Sequence, residues 1–220
     1  MIDASREAFW PYLTNYLSAN ADKPNRGPHR HFLAMPFQAP VFSLDYFFHP
    51  VVLHVVHGAL GAKVVADQWG CDVPVFGSQY QNAHMDYQRP LFYESPELVL
   101  PAYMLVVNFG FQRINIEHGA MEIAAGTHKI TKDQANHALN VGDIRFQPIP
   151  LEIGDVLIRH PWTFHRGTPN LTQTPRILLT VRYVRPWYID DSRDVASIPR
   201  RTWESFSADQ KPMLRFPISD

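Results

Sequence analysis

The chain has 220 residues, 45% hydrophobic and 19% charged, a balance that suits a globular protein able to bury one sizeable core. A formal net charge of −1 gives no general attraction for nucleic acid or acidic membranes, so neither is expected as a partner. Cys71 is the single cysteine, which excludes an intrachain disulfide and fits a reducing, cytoplasmic setting.

The first twenty residues carry an acid at position 3 and charges ahead of any apolar run, unlike a signal peptide. Between residues 4 and 19, Ala8, Phe9, Tyr12, Leu13, Tyr16 and Leu17 recur at three- and four-residue steps and predict a helix. "ADKPNRGPHRHF" follows, a loop by its Pro, Gly and charge, in which His29 and His31 read as solvated. Pro50 suits the first turn of a helix through about Ala59, with Gly58 or Gly61 to end it. The surrounding run "FFHPVVLHVVHGALGAKVV" contains three histidines, a proline and a lysine, so it reads as a buried helix passing into a strand rather than a membrane span. His49, His54 and His57 are expected to be packed or capped there, and His118, His128 and His137 to sit in turns.

Strand patterns dominate the rest: "AKVVADQW", "CDVPVF", residues 81–88, "YMLVVNFGF", "GAMEIAAGTHK", "GDVLIRH", "TFHRG" and "RILLTVRYV". A short helix is expected near Thr202 to Ala208. Many strands after a helical beginning, without regular βαβ alternation, predict a mainly β fold. The expected architecture is a double-stranded β-helix (a cupin-like jelly roll) with flanking N-terminal helices. We expect one domain over 1–220: a largely helical lead-in (1–60), the jelly-roll core (61–187) and a C-terminal extension (188–220).

Within "QNAHMDYQRP", His84 and Asp86 stand two apart, so in an extended segment both side chains leave the same side of the backbone. An imidazole and a carboxylate converging in this way can grip a divalent ion. A third ligand must come from elsewhere, and "HPWTFHRGTPN" offers His160 and His165. His165 sits where a strand gives way to a turn, whereas His160, beside Pro161, reads as a strand-end residue. Two histidines and one carboxylate on one face of an ion leave its other positions open, as in non-haem Fe(II) oxygenases, although zinc would accept the same set. Strict alternation in "PRILLTVRYV" puts Arg176, Leu178, Thr180 and Arg182 on one strand face and Ile177, Leu179, Val181 and Tyr183 on the other. An inward Arg176 would pair bidentately with a carboxylate and so favours the oxygenase over zinc.

"QNAHMD", "HGAMEIAAGTHK", "LEIGDVLI" and "HRGTPNLTQTPR" occur in this order within residues 50–185. In these pieces the chain resembles the phytanoyl-CoA dioxygenase family of Fe(II)/2-oxoglutarate oxygenases. The resemblance implies His84, Asp86 and His165 as iron ligands and Arg176 as partner of the distal 2-oxoglutarate carboxylate. Gln81, Asn108 and Thr180 are further candidates for contact with that co-substrate. Three residues depart from the family pattern: Ala125 replaces a proline, Asn108 a tryptophan, and Gly167 a hydroxyl residue two beyond the distal histidine. Thr168 or Thr180 could then reach the carboxylate instead.

The implied reaction consumes 2-oxoglutarate and O2, releases succinate and CO2, and hydroxylates an unactivated C–H bond of a small molecule. Asp86 argues against halogenation, for which related enzymes replace that carboxylate with a small residue. Tyr87, Arg89, Phe92 and Tyr93 are candidate substrate contacts, and nothing marks a specific CoA site. Two other functions fit parts of the pattern: a non-catalytic jelly-roll binding protein, and a zinc-dependent hydrolase or isomerase using the same triad.

Overall fold

A computed structural model describes residues 1–86, 94–95, 98, 100–190 and 195–220. The elements are α1 (Ile2–Asn20), β1 (Arg30–Ala34), α2 (Asp45–Phe48), α3 (Pro50–Leu60), β2 (Val65–Pro74), β3 (Met104–Gly110), β4 (Glu122–Ile123), α4 (Lys132–Asn140), β5 (Gln147–Pro148), β6 (Val156–Arg159), β7 (His165–Arg166), β8 (Leu178–Val184), β9 (Ile198–Pro199), α5 (Arg200–Glu204) and β10 (Ile218–Ser219). The fold is mainly β. A five-stranded sheet runs β1-β2-β8-β3-β6, antiparallel at every step, and a three-stranded antiparallel sheet runs β5-β4-β7. No helix among the described residues is long and apolar enough to cross a membrane.

The alternation in β8 divides the molecule. Leu179, Val181 and Tyr183 enter the main core with Phe9 and Leu13 of α1, Tyr46 and Phe47 of α2, and Val52 and Val56 of α3. Leu178 and Thr180, on the opposite face, line a cavity. All seven residues of β3 are buried, the reason its sequence is a nearly unbroken apolar run rather than an alternating one.

Several local expectations change in the structure. The two short runs around Gly70 form one strand, β2. A Cβ at Gly70 would stand 2.6 Å from the Phe32 ring, so this glycine marks a close approach and not a break. The expected loop becomes strand at Arg30, and Arg30 and His31 are both buried. His49, just before α3, and His54 on it are exposed, while His57 is half-buried and donates from Nδ1 to the Gly61 carbonyl at 3.1 Å. His137 lies in α4, a short and mostly polar helix. Its readable signal is the capping box between Thr131 and Gln134.

Candidate metal centre

His84 and His165 face each other across a backbone bridge. Each N–H donates to the other's carbonyl at 3.0 Å, and the ring centroids are 4.4 Å apart. Both rings are pinned in the same manner: Nδ1 of His84 donates to the Asn82 carbonyl and Nδ1 of His165 to the Thr163 carbonyl, each at 2.8 Å. A carbonyl only accepts, so the proton sits on Nδ1 and the Nε2 lone pair is left to coordinate. Asp86, two residues beyond His84, completes the group. Its Oδ1 lies 3.6 Å from His165 Nε2 and 4.0 Å from His84 Nε2, and the three ligand atoms fall within 4.8 Å of one another. Two imidazoles and a carboxylate in this disposition fit a borderline divalent ion such as iron. His160 is no part of the group; it stacks on His128 at 5.1 Å, and burial beside that ring brings it down to about 4.

The second oxygen of Asp86 has its own partner, Arg159 of β6, at 2.8 Å. Burial alone would raise this carboxyl, but Arg159, with His165 and His84, outweighs it and holds Asp86 well below the usual carboxylate range. His84 is shifted down by burial and then by the neighbouring His165, which favours the neutral, coordinating ring.

All three triad residues line a cavity of about 370 Å³, with Arg26, Phe32, Gln68, Asp72, Gln81, Val106, Asn108, Arg159, Leu178 and Thr180 among its other walls. Gln81 uses its amide to clip two loops, accepting from the Gly167 N–H at 3.0 Å and donating to the Arg26 carbonyl at 3.1 Å. Asn108 donates to Thr180 Oγ1 at 2.9 Å. Tyr87, Arg89, Phe92 and Tyr93 lie outside the described residues.

Arg176 is 1% exposed and does not line the cavity. It reaches Asp72, which does, at 3.0 Å, and Arg30 reaches the same Asp72 oxygen at 3.2 Å. The convergence follows from strand register: Arg30 opposes Pro74 on one side of β2, and the Arg176 N–H donates to the Pro74 carbonyl on the other. Burial lowers the Arg176 guanidinium to about 10 although Asp72 opposes the shift, so it stays charged at neutral pH. Its Nε and Nη1 are buried with no hydrogen-bond partner. Two guanidiniums on one carboxylate leave one net positive charge and two unused donors. Sequence reasoning missed Asp72, Arg30 and Arg159; an isolated acid in a β-run and an arginine in a Pro/Gly-rich stretch carry no local mark of their pairing.

The sequence model of the family described as phytanoyl-CoA dioxygenase matches residues 17–178. The chain belongs to the phytanoyl-CoA dioxygenase family. It is therefore a non-haem 2-oxoglutarate-dependent enzyme, with iron and 2-oxoglutarate as the cofactor and co-substrate its donor set suits. Solved structures of similar fold include AviO1 from Streptomyces viridochromogenes Tue57 (TM-score 0.63, 15% identity, covering 86% of this chain and 86% of that one). SnoK, a non-haem alpha-ketoglutarate-dependent carbocyclase from nogalamycin biosynthesis, aligns at TM-score 0.60 and 17% identity over 82% of this family member and 74% of SnoK. HygX from Streptomyces hygroscopicus, solved with nickel, 2-oxoglutarate and hygromycin B bound, aligns at TM-score 0.56 and 13% identity over 92% and 86%.

Proposed function

We propose that this enzyme is an Fe(II)- and 2-oxoglutarate-dependent dioxygenase that hydroxylates an unactivated C–H bond of a small molecule. The observation that carries the reading is the convergence of His84 Nε2, His165 Nε2 and Asp86 Oδ1 on one side of an open cavity. With iron, 2-oxoglutarate and O2 in place, the chemistry supplied is removal of hydrogen from the substrate carbon and its hydroxylation, with release of succinate and CO2. The chain's own part is positional. His84, Asp86 and His165 would hold the ion and leave the cavity side for exogenous ligands.

The net charge and unused donors of Arg176, beside Arg30, suit the distal carboxylate of 2-oxoglutarate. Asn108 and Thr180 offer polar groups along the cavity wall, and Gln81 shapes its rim. In this reading the two antiparallel sheets are the halves of a jelly roll within one domain spanning 1–220. The compartment is a reducing cytoplasm, where Cys71 stays a thiol. HygX, solved with hygromycin B bound, supports a tailoring role on a small-molecule secondary metabolite. Tyr87, Arg89, Phe92 and Tyr93 remain candidate substrate contacts on the sequence alone.

The test is anaerobic addition of Fe(II) and 2-oxoglutarate to apoprotein. A visible metal-to-ligand charge-transfer band in wild type and none in Asp86→Ala is the expected result. No band in wild type would overturn the reading.

A further inference from the structure

Arg159 combines three observations that together give it a task beyond sheet formation. It sits on β6 opposite Val106, and both residues line the cavity at the triad. Its side chain is 8% exposed, so each of its donors is costly to leave unused. Two of them are engaged: one terminal nitrogen donates to Asp86 Oδ2 at 2.8 Å, and Nε points at Asn108 Oδ1 at 3.4 Å. The other terminal nitrogen, Nη1, is buried and has no partner.

The contact with Asp86 divides that carboxylate. Oδ1 faces the two histidines and Oδ2 is held by the guanidinium, so Asp86 presents a single oxygen to an ion. A bidentate aspartate would occupy a position that exogenous ligands need; Arg159 keeps it from turning. The spare Nη1 belongs to a side chain that lines the cavity beside Asp86, and it is a donor in want of an anionic acceptor at the metal end of the cavity. The reading above assigns the far carboxylate of the co-substrate to Arg176 and Arg30, which leaves the near one as the acceptor for this donor.

We propose that Arg159 is a positioning residue with two functions: it fixes Asp86 as a one-oxygen ligand, and it hydrogen-bonds the metal-side carboxylate of a 2-oxo acid. The proposal rests on the metal-centre reading above. Arg159 and Arg176 then divide the co-substrate between them, one at each carboxylate.

Pyruvate separates the two ends, because it has the 2-oxo acid head and lacks the distal carboxylate. Wild type, Arg159→Leu, Arg159→Lys and Arg176→Ala are saturated with Ni(II) and titrated calorimetrically with pyruvate and with 2-oxoglutarate. Arg159→Leu is expected to weaken both ligands by a similar factor, roughly ten- to a hundredfold, the loss of one charge-assisted hydrogen bond. Arg159→Lys, which keeps the charge but not the planar fork, is expected to recover part of both and to guard against a folding defect in the leucine variant. Arg176→Ala should weaken 2-oxoglutarate and leave pyruvate unchanged. If Arg159 only supports Asp86 structurally, Ni(II) affinity falls while ligand affinity at saturating Ni(II) does not, and the second function is wrong. If pyruvate binds all four proteins alike and Ni(II) affinity is also unchanged, both functions fail. Failure of wild type to bind Ni(II) would strike the metal centre itself, and the proposal would fall with it.

Discussion

Gly167 has no side chain, and the Arg30 guanidinium fills the room one would take: a Cβ there would stand 2.6 Å from Arg30 Cζ and 2.7 Å from Gln81 Oε1. The room beside Gly167 is thus filled by an arginine from a strand far earlier in the chain. Arg30 cannot step aside freely, since it is 1% exposed and tied to Asp72 and to the Thr168 carbonyl. Gly167→Ala is expected to cost about 1–3 kcal/mol of stability, as overpacking at a closed site does. Thermal or urea unfolding checks it; an unchanged midpoint would show that Arg30 has somewhere else to go.

Asp86→Ala should end iron-dependent turnover while far-ultraviolet circular dichroism stays that of wild type. The residue lies on an open cavity wall and contributes ligand geometry more than packing. Succinate release coupled to 2-oxoglutarate is the assay, and turnover near the wild-type level would defeat the ligand assignment.

Arg176→Ala should weaken 2-oxoglutarate binding by roughly two to four orders of magnitude, the loss of two charge-assisted hydrogen bonds. Arg176→Lys should restore only part, lacking the planar fork. Metal affinity should hold in both, because Asp72, not the triad, is the residue Arg176 touches. Anaerobic titration of the Fe(II)-loaded proteins measures this, and equal affinities would remove Arg176 from the co-substrate site.

Asp72 lies between Arg176 and Arg30 with Arg26 nearby; burial would raise its carboxyl, but the arginines hold it below the usual range. A folded-state value below the unfolded one means its stabilisation is complete above about pH 4 and drains away as pH falls through the lowered value. Asp72→Asn should therefore cost stability at neutral pH, about 3 kcal/mol for leaving two guanidiniums without their shared anion. It should also flatten the acid limb of the stability curve. Urea unfolding at a series of pH values reads both effects, and parallel curves for the two proteins would contradict the assignment.

The parts of the site that were legible in the sequence are those whose chemistry is local. His84 and Asp86 announce themselves by a two-residue spacing in an extended segment, and β8 by strict alternation. The position of Arg176 on β8's approach was readable, but its shielding by Asp72 was not. Whether a charge can be buried depends on a partner that the fold delivers from another strand, and no window of sequence contains both. Arg30, in a Pro- and Gly-rich stretch, gave no sign of its burial for that reason, and Arg159 looked like an ordinary strand residue. α4 escaped because it is short and mostly polar: Ala135, Ala138 and Leu139 make a narrow apolar side, and of these Ala135 alone is buried.

The reciprocal backbone bridge between His84 and His165 also makes the ion a clamp on the chain's topology. The two ligands sit on segments far apart in sequence, joined by the reciprocal His84–His165 pair and, to either side of it, by the Gln81 N–H donating to the Gly167 carbonyl and the Asp86 N–H to the Pro161 carbonyl, each at 2.9 Å. An ion held by both would close that long loop in the folded state and would have no such grip on the unfolded chain. Loading should therefore slow the parting of these two segments and protect the His84 and His165 amides from hydrogen exchange, coupling the enzyme's mechanical integrity to its metal supply.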